Sequence, residues 1–239
     1  MELLFGDCLD RLKDVSDNSV DLVMCDLPYA TTDNAWDILI DIDKLWVELK
    51  RVGKPNTPYF FFCNMRLASE IIASNKKWFK YDLVWYKTRA SNALNARKRF
   101  LPTHENIIVF YNKPPVYNYL KYHTIESIKE RKAINGRCFK EKANATFQYN
   151  YYDPRLPHSV IEQINIRNKN LHPTSKPVPL LETLIKYHSN DGDLILDPTM
   201  GGGSTGEACI NLNRRFIGIE KDEHWYNHCK IRLNASLSV

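Results

Sequence analysis

No apolar run among the 239 residues reaches membrane-spanning length, so no bilayer span is expected. Internal repeats and low-complexity tracts are also missing, which excludes solenoid and compositionally biased architectures. The six cysteines, Cys8, Cys25, Cys63, Cys138, Cys209 and Cys229, make no CxxC pair and have no His-rich cluster beside them. Neither structural zinc nor a disulfide framework is therefore expected, and the thiols read as reduced and mostly buried. The opening MELLFGDCLD carries acids and lacks the basic head and apolar stretch of a signal peptide, so a cytoplasmic location is expected. What is present is ordinary for a globular chain: 44% hydrophobic and 26% charged residues. The length suits one α/β domain with a small insertion. A formal charge of +5 is compatible with nucleic-acid binding but is shared by many proteins that bind none.

Periodicity and turn residues give a coarse order of elements. Short or buried strands are expected at Glu2–Phe5, Val20–Cys25, Tyr59–Cys63, Tyr81–Tyr86 and Ile107–Tyr111, with helices at Cys8–Asp14 and Arg66–Ser74. The loop Thr88–Arg99 carries the basic triplet Arg97, Lys98 and Arg99. From Pro114 to Leu171 aliphatic runs fade and Tyr, Lys, Arg and Asn dominate. Lys129, Arg131, Lys132, Arg137, Lys140 and Lys142 lie among Tyr117, Tyr119, Tyr122, Tyr149, Tyr151 and Tyr152. Composition fits either a small lobe or a solvated loop region. After His172 the α/β pattern returns: a helix at Pro177–His188, a strand at Leu194–Leu196, a strand at Phe216–Ile219 and a closing helix from about Asp222. Ser204 and Glu207 match a capping box, which predicts a helix beginning near Thr205.

Strand, glycine turn, helix, strand, acid is a nucleotide-binding arrangement. Gly201, Gly203 and Gly206 satisfy G-x-G-x-x-G, a pattern that also fits a dinucleotide. Asp197, directly before the turn, suits a cationic ligand and would repel a pyrophosphate. Only 19 residues follow Glu220, so the other strands of the sheet must come from the N-terminal half and the order is permuted. Asp26-Leu27-Pro28-Tyr29 closes a buried strand at what would be the ligand edge. If that strand lies beside Leu194–Leu196, Asp26 and Asp197 open into one crevice.

Together these segments resemble the permuted, β-type amino-methyltransferases of DNA, the adenine-N6/cytosine-N4 family of bacteria and phage. Asp26-Leu27-Pro28-Tyr29 is similar to the catalytic D-P-P-Y, and Asp197–Gly206 to the cofactor loop D-P-F-x-G-S-G-T-T. His172-Pro173-Thr174-Ser175-Lys176-Pro177 resembles H-P-T-Q-K-P, Gly6-Asp7 the early G-D, and Glu220 the ribose-binding acid. Thr31–Asp37 looks like the loop after the catalytic motif in phage-type relatives. Leu27 stands where the first proline is usual, and Thr199 where phenylalanine is usual, which removes an aromatic contact near the cofactor.

The resemblance implies a Rossmann-like, doubly wound α/β methyltransferase sheet in circularly permuted order. It assigns residues 1–113 to a catalytic half, 114–171 to a target-recognition insertion and 172–239 to a cofactor half. S-adenosylmethionine is the implied cofactor, held by Asp7, Cys8, His172, Pro173, Thr174, Lys176, Asp197, Pro198, Gly201, Gly203, Ser204, Thr205, Glu220 and Lys221. Site-specific transfer of its methyl group to N6 of adenine in double-stranded DNA is the expected reaction. The residue types fit: an exocyclic amine is a poor nucleophile, and acceptors at Asp26 and the Leu27 carbonyl would free its lone pair. Pro28 would stiffen the turn, and Tyr29 would stack on a flipped base. Arg97, Lys98, Arg99, Lys129, Arg131, Lys132, Arg137 and Lys140 are the expected DNA contacts. A homodimer and a separate restriction endonuclease are open as partners, and no metal or membrane is expected. Asp in the tetrapeptide favours adenine N6 over the alternative, cytosine N4. An NAD-dependent oxidoreductase would leave Asp26–Tyr29 unexplained, and an inactive DNA-binding relative would have no need of intact catalytic residues.

Overall fold

The computed structural model describes residues 1–28, 40–91, 93–122, 127–133, 147–153, 157–164 and 174–237. In chain order the elements are β1 (Glu2–Phe5), α1 (Cys8–Arg11), β2 (Leu22–Asp26), α2 (Ile42–Val52), β3 (Tyr59–Cys63), α3 (Met65–Ser74), β4 (Phe79–Tyr86) and β5 (His104–Phe110). They continue with α4 (Tyr119–Tyr122), β6 (Ser127–Ala133), β7 (Phe147–Asp153), β8 (Val160–Glu162), α5 (Val178–His188), β9 (Leu194–Asp197), α6 (Ser204–Asn211), β10 (Arg215–Glu220) and α7 (Glu223–Leu237). The main sheet runs β1-β10-β9-β2-β3-β5-β4-β8. Its first five strands are mutually parallel, and β5 runs against both β3 and β4. Strands from the end of the chain, β9 and β10, sit between β1 and β2, which is the expected permutation.

Alternation at period two splits the buried residues between the faces of this sheet. On β2, Val23 and Cys25 face one core while Leu22 and Met24 face the other, and β3 divides in the same way into Tyr59, Phe61 and Cys63 against Phe60 and Phe62. Leu45, Trp46, Leu49 and Val52 of α2 and Leu67, Ala68 and Ile71 of α3 cover the first face. Leu180, Leu181, Leu184 and Ile185 of α5, with residues of α6 and α7, cover the second. Both faces are closed, so the central strands read as continuous apolar runs.

Helix starts show where local signals sufficed. Asp7, Asp41 and Asn64 cap α1, α2 and α3 by accepting from the backbone N–H of Leu9, Lys44 and Leu67. The expected first helix divides, α1 ending at Arg11 and a 3₁₀ turn covering Leu12–Asp14. The capping box at Ser204 does not form. Helix α6 begins at Ser204 itself, preceded by Gly203 at φ 78°, and has no side-chain cap. Arg232 of α7 takes both box residues, bonding Glu207 at 2.8 Å and Ser204 Oγ at 3.3 Å.

Contacts divide the chain into two compact units, Met1–Tyr117 with Ser159–Val239, and Asn118–His158. The smaller unit carries α4 and the antiparallel pair β6–β7, registered from Ser127↔Asp153 to Ala133↔Phe147. It is narrower than the expected insertion of 114–171, because β8 joins the main sheet beside β4 and Trp85 Nε1 donates to the Gln163 carbonyl at 2.8 Å. Among the described residues five cysteines are free and buried, no metal-binding cluster occurs, and no helix is long and apolar enough to cross a membrane.

Candidate active site

Four adjacent parallel strands deliver an acid to one edge of the sheet. Asp7 follows β1, Glu220 ends β10, Asp197 ends β9 and Asp26 ends β2. The pairings Phe5↔Glu220, Gly218↔Asp197 and Leu196↔Val23 bring these ends to one edge, with Asp197 set two residues behind Glu220 and Asp26. This is the carboxyl edge, where open α/β sheets hold ligands. Asp26 and Asp197 therefore do lie on neighbouring strands.

The glycine turn is knitted together by the acids around it. Asp197 Oδ1 accepts from the Thr199 N–H at 3.0 Å and Oδ2 from the Thr205 hydroxyl at 2.6 Å. Glu220 Oε2 accepts from the Gly201 N–H at 2.9 Å and Oε1 from the Asp222 N–H at 2.8 Å. Gly201 lies at φ 50°, a left-handed conformation that favours glycine. At Gly203 a Cβ would come within 2.4 Å of Cys229 Sγ, so this glycine serves contact with α7. Asp197 was expected to meet a cationic ligand, yet it is only 4% exposed and both oxygens bond to its own loop. Its role here is to shape the turn. Glu220 is less buried and keeps an edge toward solvent. Thr199, where a phenylalanine is usual, has a function that the sequence did not suggest. Its hydroxyl donates to the Asp26 carbonyl at 3.1 Å and so ties the glycine turn to the tetrapeptide.

Burial pushes the Asp197 carboxyl up to about 7, against the pull of the Thr205 and Thr199 hydrogen bonds. A folded-state pKa above the ordinary 3.8 means that the folded protein holds a proton that the unfolded chain has lost. The associated stability is present below about pH 4 and is lost as pH rises toward 7. Over that window the stability advantage of the native protein over Asp197→Asn is expected to fall by about 1.4 kcal/mol per pH unit, one proton's worth. Thermal unfolding of both proteins from pH 5 to 8 measures it, and a pH-independent difference would refute the assignment.

Lys176 departs furthest from expectation. It was assigned to the cofactor, but its Nζ lies 2.5 Å from Asp26 Oδ2 and 3.6 Å from Glu105 Oε2, over the ring of Phe62 at 5.3 Å. Its side chain is 7% exposed. Burial works against its charge, but Asp26 and Glu105 outweigh that and hold its pKa above the usual lysine value. Glu105 in turn bonds Lys87. Burial opposes its ionisation, and Lys176 and Lys87 overcome this to hold it below the ordinary glutamate range. The chain Lys87–Glu105–Lys176–Asp26 draws on β4, β5, the segment before α5 and β2, and sequence reading missed Glu105 and Lys87. One signal was available: Glu105 is the only acid between Asp82 and Glu126.

The other expected residues are placed as follows. Leu27 and Pro198 are buried, Pro28 is half-buried, and Thr174 and Lys221 are exposed. Cys8 is buried behind Asp7, its thiol pushed up to about 12 by that burial. Ser204 and Thr205 are buried in the first turn of α6. Arg97, Lys98 and Arg99 are exposed, and Lys129, Arg131 and Lys132 lie on β6. Tyr29, the 31–37 stretch, Arg137, Cys138, Lys140, His172 and Pro173 lie outside the described residues.

The donor set fits S-adenosylmethionine. Asp7, exposed, and Glu220, half-buried, suit a ligand carrying a sulfonium and an ammonium, and the buried cation Lys176 is already committed to Asp26 and Glu105. A pyrophosphate would find no comparable neutralising group among these residues.

Comparison with known proteins agrees. The N6/N4 methylase family, described as DNA methylase, matches residues 20–230. The chain is 26% identical to the type II methyltransferase M.HpaI of Haemophilus parainfluenzae, covering 99% of this chain and 75% of that protein. It is 29% identical to the DNA adenine methyltransferase YhdJ of Escherichia coli K12, covering 98% and 83%. Among solved structures it resembles the M1.HpyAVI–SAM complex, with a TM-score of 0.65 at 24% identity over 97% and 99% of the two chains. It also resembles the cytosine-N4-specific PvuII DNA methyltransferase, with a TM-score of 0.72 at 16% identity over 96% and 85%. The chain therefore belongs to the N6/N4 DNA methylase family, the S-adenosylmethionine-dependent methyltransferases of DNA.

Proposed function

We propose that this chain methylates N6 of adenine at a specific site in double-stranded DNA, with the target base extruded from the helix. The observation that carries the reading is the fixed carboxylate of Asp26, held through Oδ2 by Lys176 beside the cofactor turn and joined to that turn through Thr199. S-adenosylmethionine supplies an electrophilic methyl group on a sulfonium. Asp26 and the Leu27 carbonyl accept the hydrogens of the target amine, which localises the nitrogen lone pair for attack. Pro28 stiffens that turn, and Tyr29 offers a ring for the extruded base. Positioning and electrostatics then lower the barrier. One relative named as a DNA adenine methyltransferase, YhdJ, favours N6, as does an acid in the tetrapeptide. Digestion of DNA methylated in vitro, followed by nucleoside mass spectrometry, decides: N4-methylcytosine in place of N6-methyladenine would overturn the base assignment.

Glu220, with His172, Pro173 and Thr174, belongs to the cofactor side of this reading. Glu220→Ala is expected to weaken S-adenosylmethionine binding by roughly 1–3 kcal/mol through lost hydrogen bonds to a charged acceptor. Calorimetric titration showing native affinity would remove Glu220 from the cofactor site. The unit Asn118–His158, with the basic and aromatic residues of β6 and β7, is the segment assigned to sequence choice. A homodimer, a cognate endonuclease and a cytoplasmic location complete the proposal.

A further inference from the structure

The loop joining β4 to β5 is built to present its apex. Its neck is pinned by Lys87 N–H to the Thr103 carbonyl at 2.8 Å and by Ser91 N–H to the Pro102 carbonyl at 2.9 Å. Its tip is a 3₁₀ turn, Ala93–Asn95, whose last carbonyl accepts from the N–H of Lys98 at 2.9 Å and of Arg99 at 3.1 Å. On this framework Leu94 is 97% and Phe100 101% exposed, so neither contributes to the core. Every charge from Lys87 to Thr103 is positive: Lys87, Arg89, Arg97, Lys98 and Arg99. Arg97, Lys98 and Arg99 make no ion pair among the described residues.

The loop also leaves the sheet on the active-site side. Strand β4 is antiparallel to β5, which is antiparallel to β3, so β4 ends at the same edge as β2 and Asp26. Its root residue Lys87 bonds Glu105, which reaches Asp26 through Lys176. Isolated exposed apolar residues need no explanation. Leu94 on the tip and Phe100 two residues before the neck, with unpaired cations between them and a root at the sheet edge of the catalytic carboxylate, call for a partner that is anionic outside and apolar inside. A DNA duplex has both properties: phosphates along its surface and a base stack within.

We propose that this loop is a wedge. Leu94 and Phe100 enter the base stack beside the target nucleotide, while Arg97, Lys98 and Arg99 hold the flanking phosphates. Apolar side chains inserted between base steps unstack them, which offsets part of the cost of extruding a base. A second copy of this chain suits the apex poorly, since like charges would face each other. The inference rests on base extrusion as the mode of target access.

The test uses the full-length protein and a duplex containing its methylated site, identified by modified-base sequencing. Single-turnover methylation is compared on the paired duplex and on the same duplex with an abasic site opposite the target adenine, where extrusion is already eased. Phe100→Ala is expected to slow methylation of the paired duplex by roughly 10- to 100-fold, the scale of a lost base–aromatic stack, and Leu94→Ala to slow it in the same direction but less. Both should stay near the native rate on the abasic duplex, and Phe100→Trp should keep activity on both. Their salt dependence should match the native protein, whereas the triple change Arg97→Ala, Lys98→Ala, Arg99→Ala should flatten the slope of log affinity against log salt by about 2–3. Equal losses on both duplexes, no loss on either, or a change in sedimentation of the free Phe100→Ala protein would overturn the wedge. Fluorescence of 2-aminopurine at the target separates the two ideas. If the native protein produces no rise, base extrusion itself fails and the wedge fails with it. If the native protein and Phe100→Ala produce the same rise, only the wedge fails.

Discussion

Asp26→Ala is expected to lower the single-turnover methyl-transfer rate by roughly 10²–10³, the typical cost of removing one preorganised polar group aimed at a developing charge. The amine of a nucleobase has its lone pair delocalised into the ring, so an acceptor on its hydrogens is needed before the nitrogen can attack. A carboxylate offers about four acceptor positions, and Lys176 fixes this one through Oδ2. Cofactor affinity should change far less. The glycine turn is held by Asp197 and Glu220, and Thr199 bonds the backbone carbonyl of Asp26, which the substitution retains. Asp26→Asn should fall between the two proteins, because its amide carbonyl still accepts but carries no charge. The assignment fails if Asp26→Ala transfers methyl groups at near the native single-turnover rate while binding cofactor normally.

The same site shows which features of the sequence are legible. Asp26-Leu27-Pro28-Tyr29 and Asp197–Gly206 were readable because each is a contiguous strand end followed by turn residues. Such local grammar does not depend on what packs nearby. The strand at Tyr59–Cys63 was equally legible as a short apolar run, but which face each of its residues takes was not, since every position in it is apolar. Helix α2 was missed although Asp41 caps it and Leu45, Trp46, Leu49 and Val52 mark one face at helical spacing. Other errors arose where a distant segment took a group away from its local partner. Arg232 bonds Ser204 and Glu207, so a valid capping pattern forms no cap. Strand β8 is only three residues long and gains its identity from β4, so nothing in Val160–Glu162 marked it. Lys176 sits inside a motif associated with the cofactor, yet its partner is 150 residues away in sequence. Long-range ion pairing leaves no periodicity to read.

That pairing carries the second large effect. Lys176→Met removes the cation between Asp26 and Glu105 and leaves Asp26 without it in a poorly solvated space, while Glu105 keeps Lys87. Breaking a buried pair by deleting one partner costs about 3–5 kcal/mol, and the partial exposure of Asp26, 23%, places the expected loss near the lower end. The catalytic consequence has a sign. A cation 2.5 Å away favours the ionised form of Asp26, so its removal raises the carboxyl pKa and leaves less carboxylate at neutral pH. Activity at pH 7 should drop, and the rising limb of the pH–rate profile should move to higher pH, with partial recovery in alkaline buffer. Lys176→Arg keeps the charge and should restore the position of that limb even if the bulkier fork lowers the maximum. S-adenosylmethionine affinity should stay near native, which separates a lysine that orients Asp26 from one that holds the cofactor. Thermal unfolding of Lys176→Met, with its rate measured well below the melting temperature, separates lost activity from unfolding. An unshifted pH–rate profile, or a weakened cofactor affinity with an unchanged rate at saturation, would return Lys176 to the cofactor site.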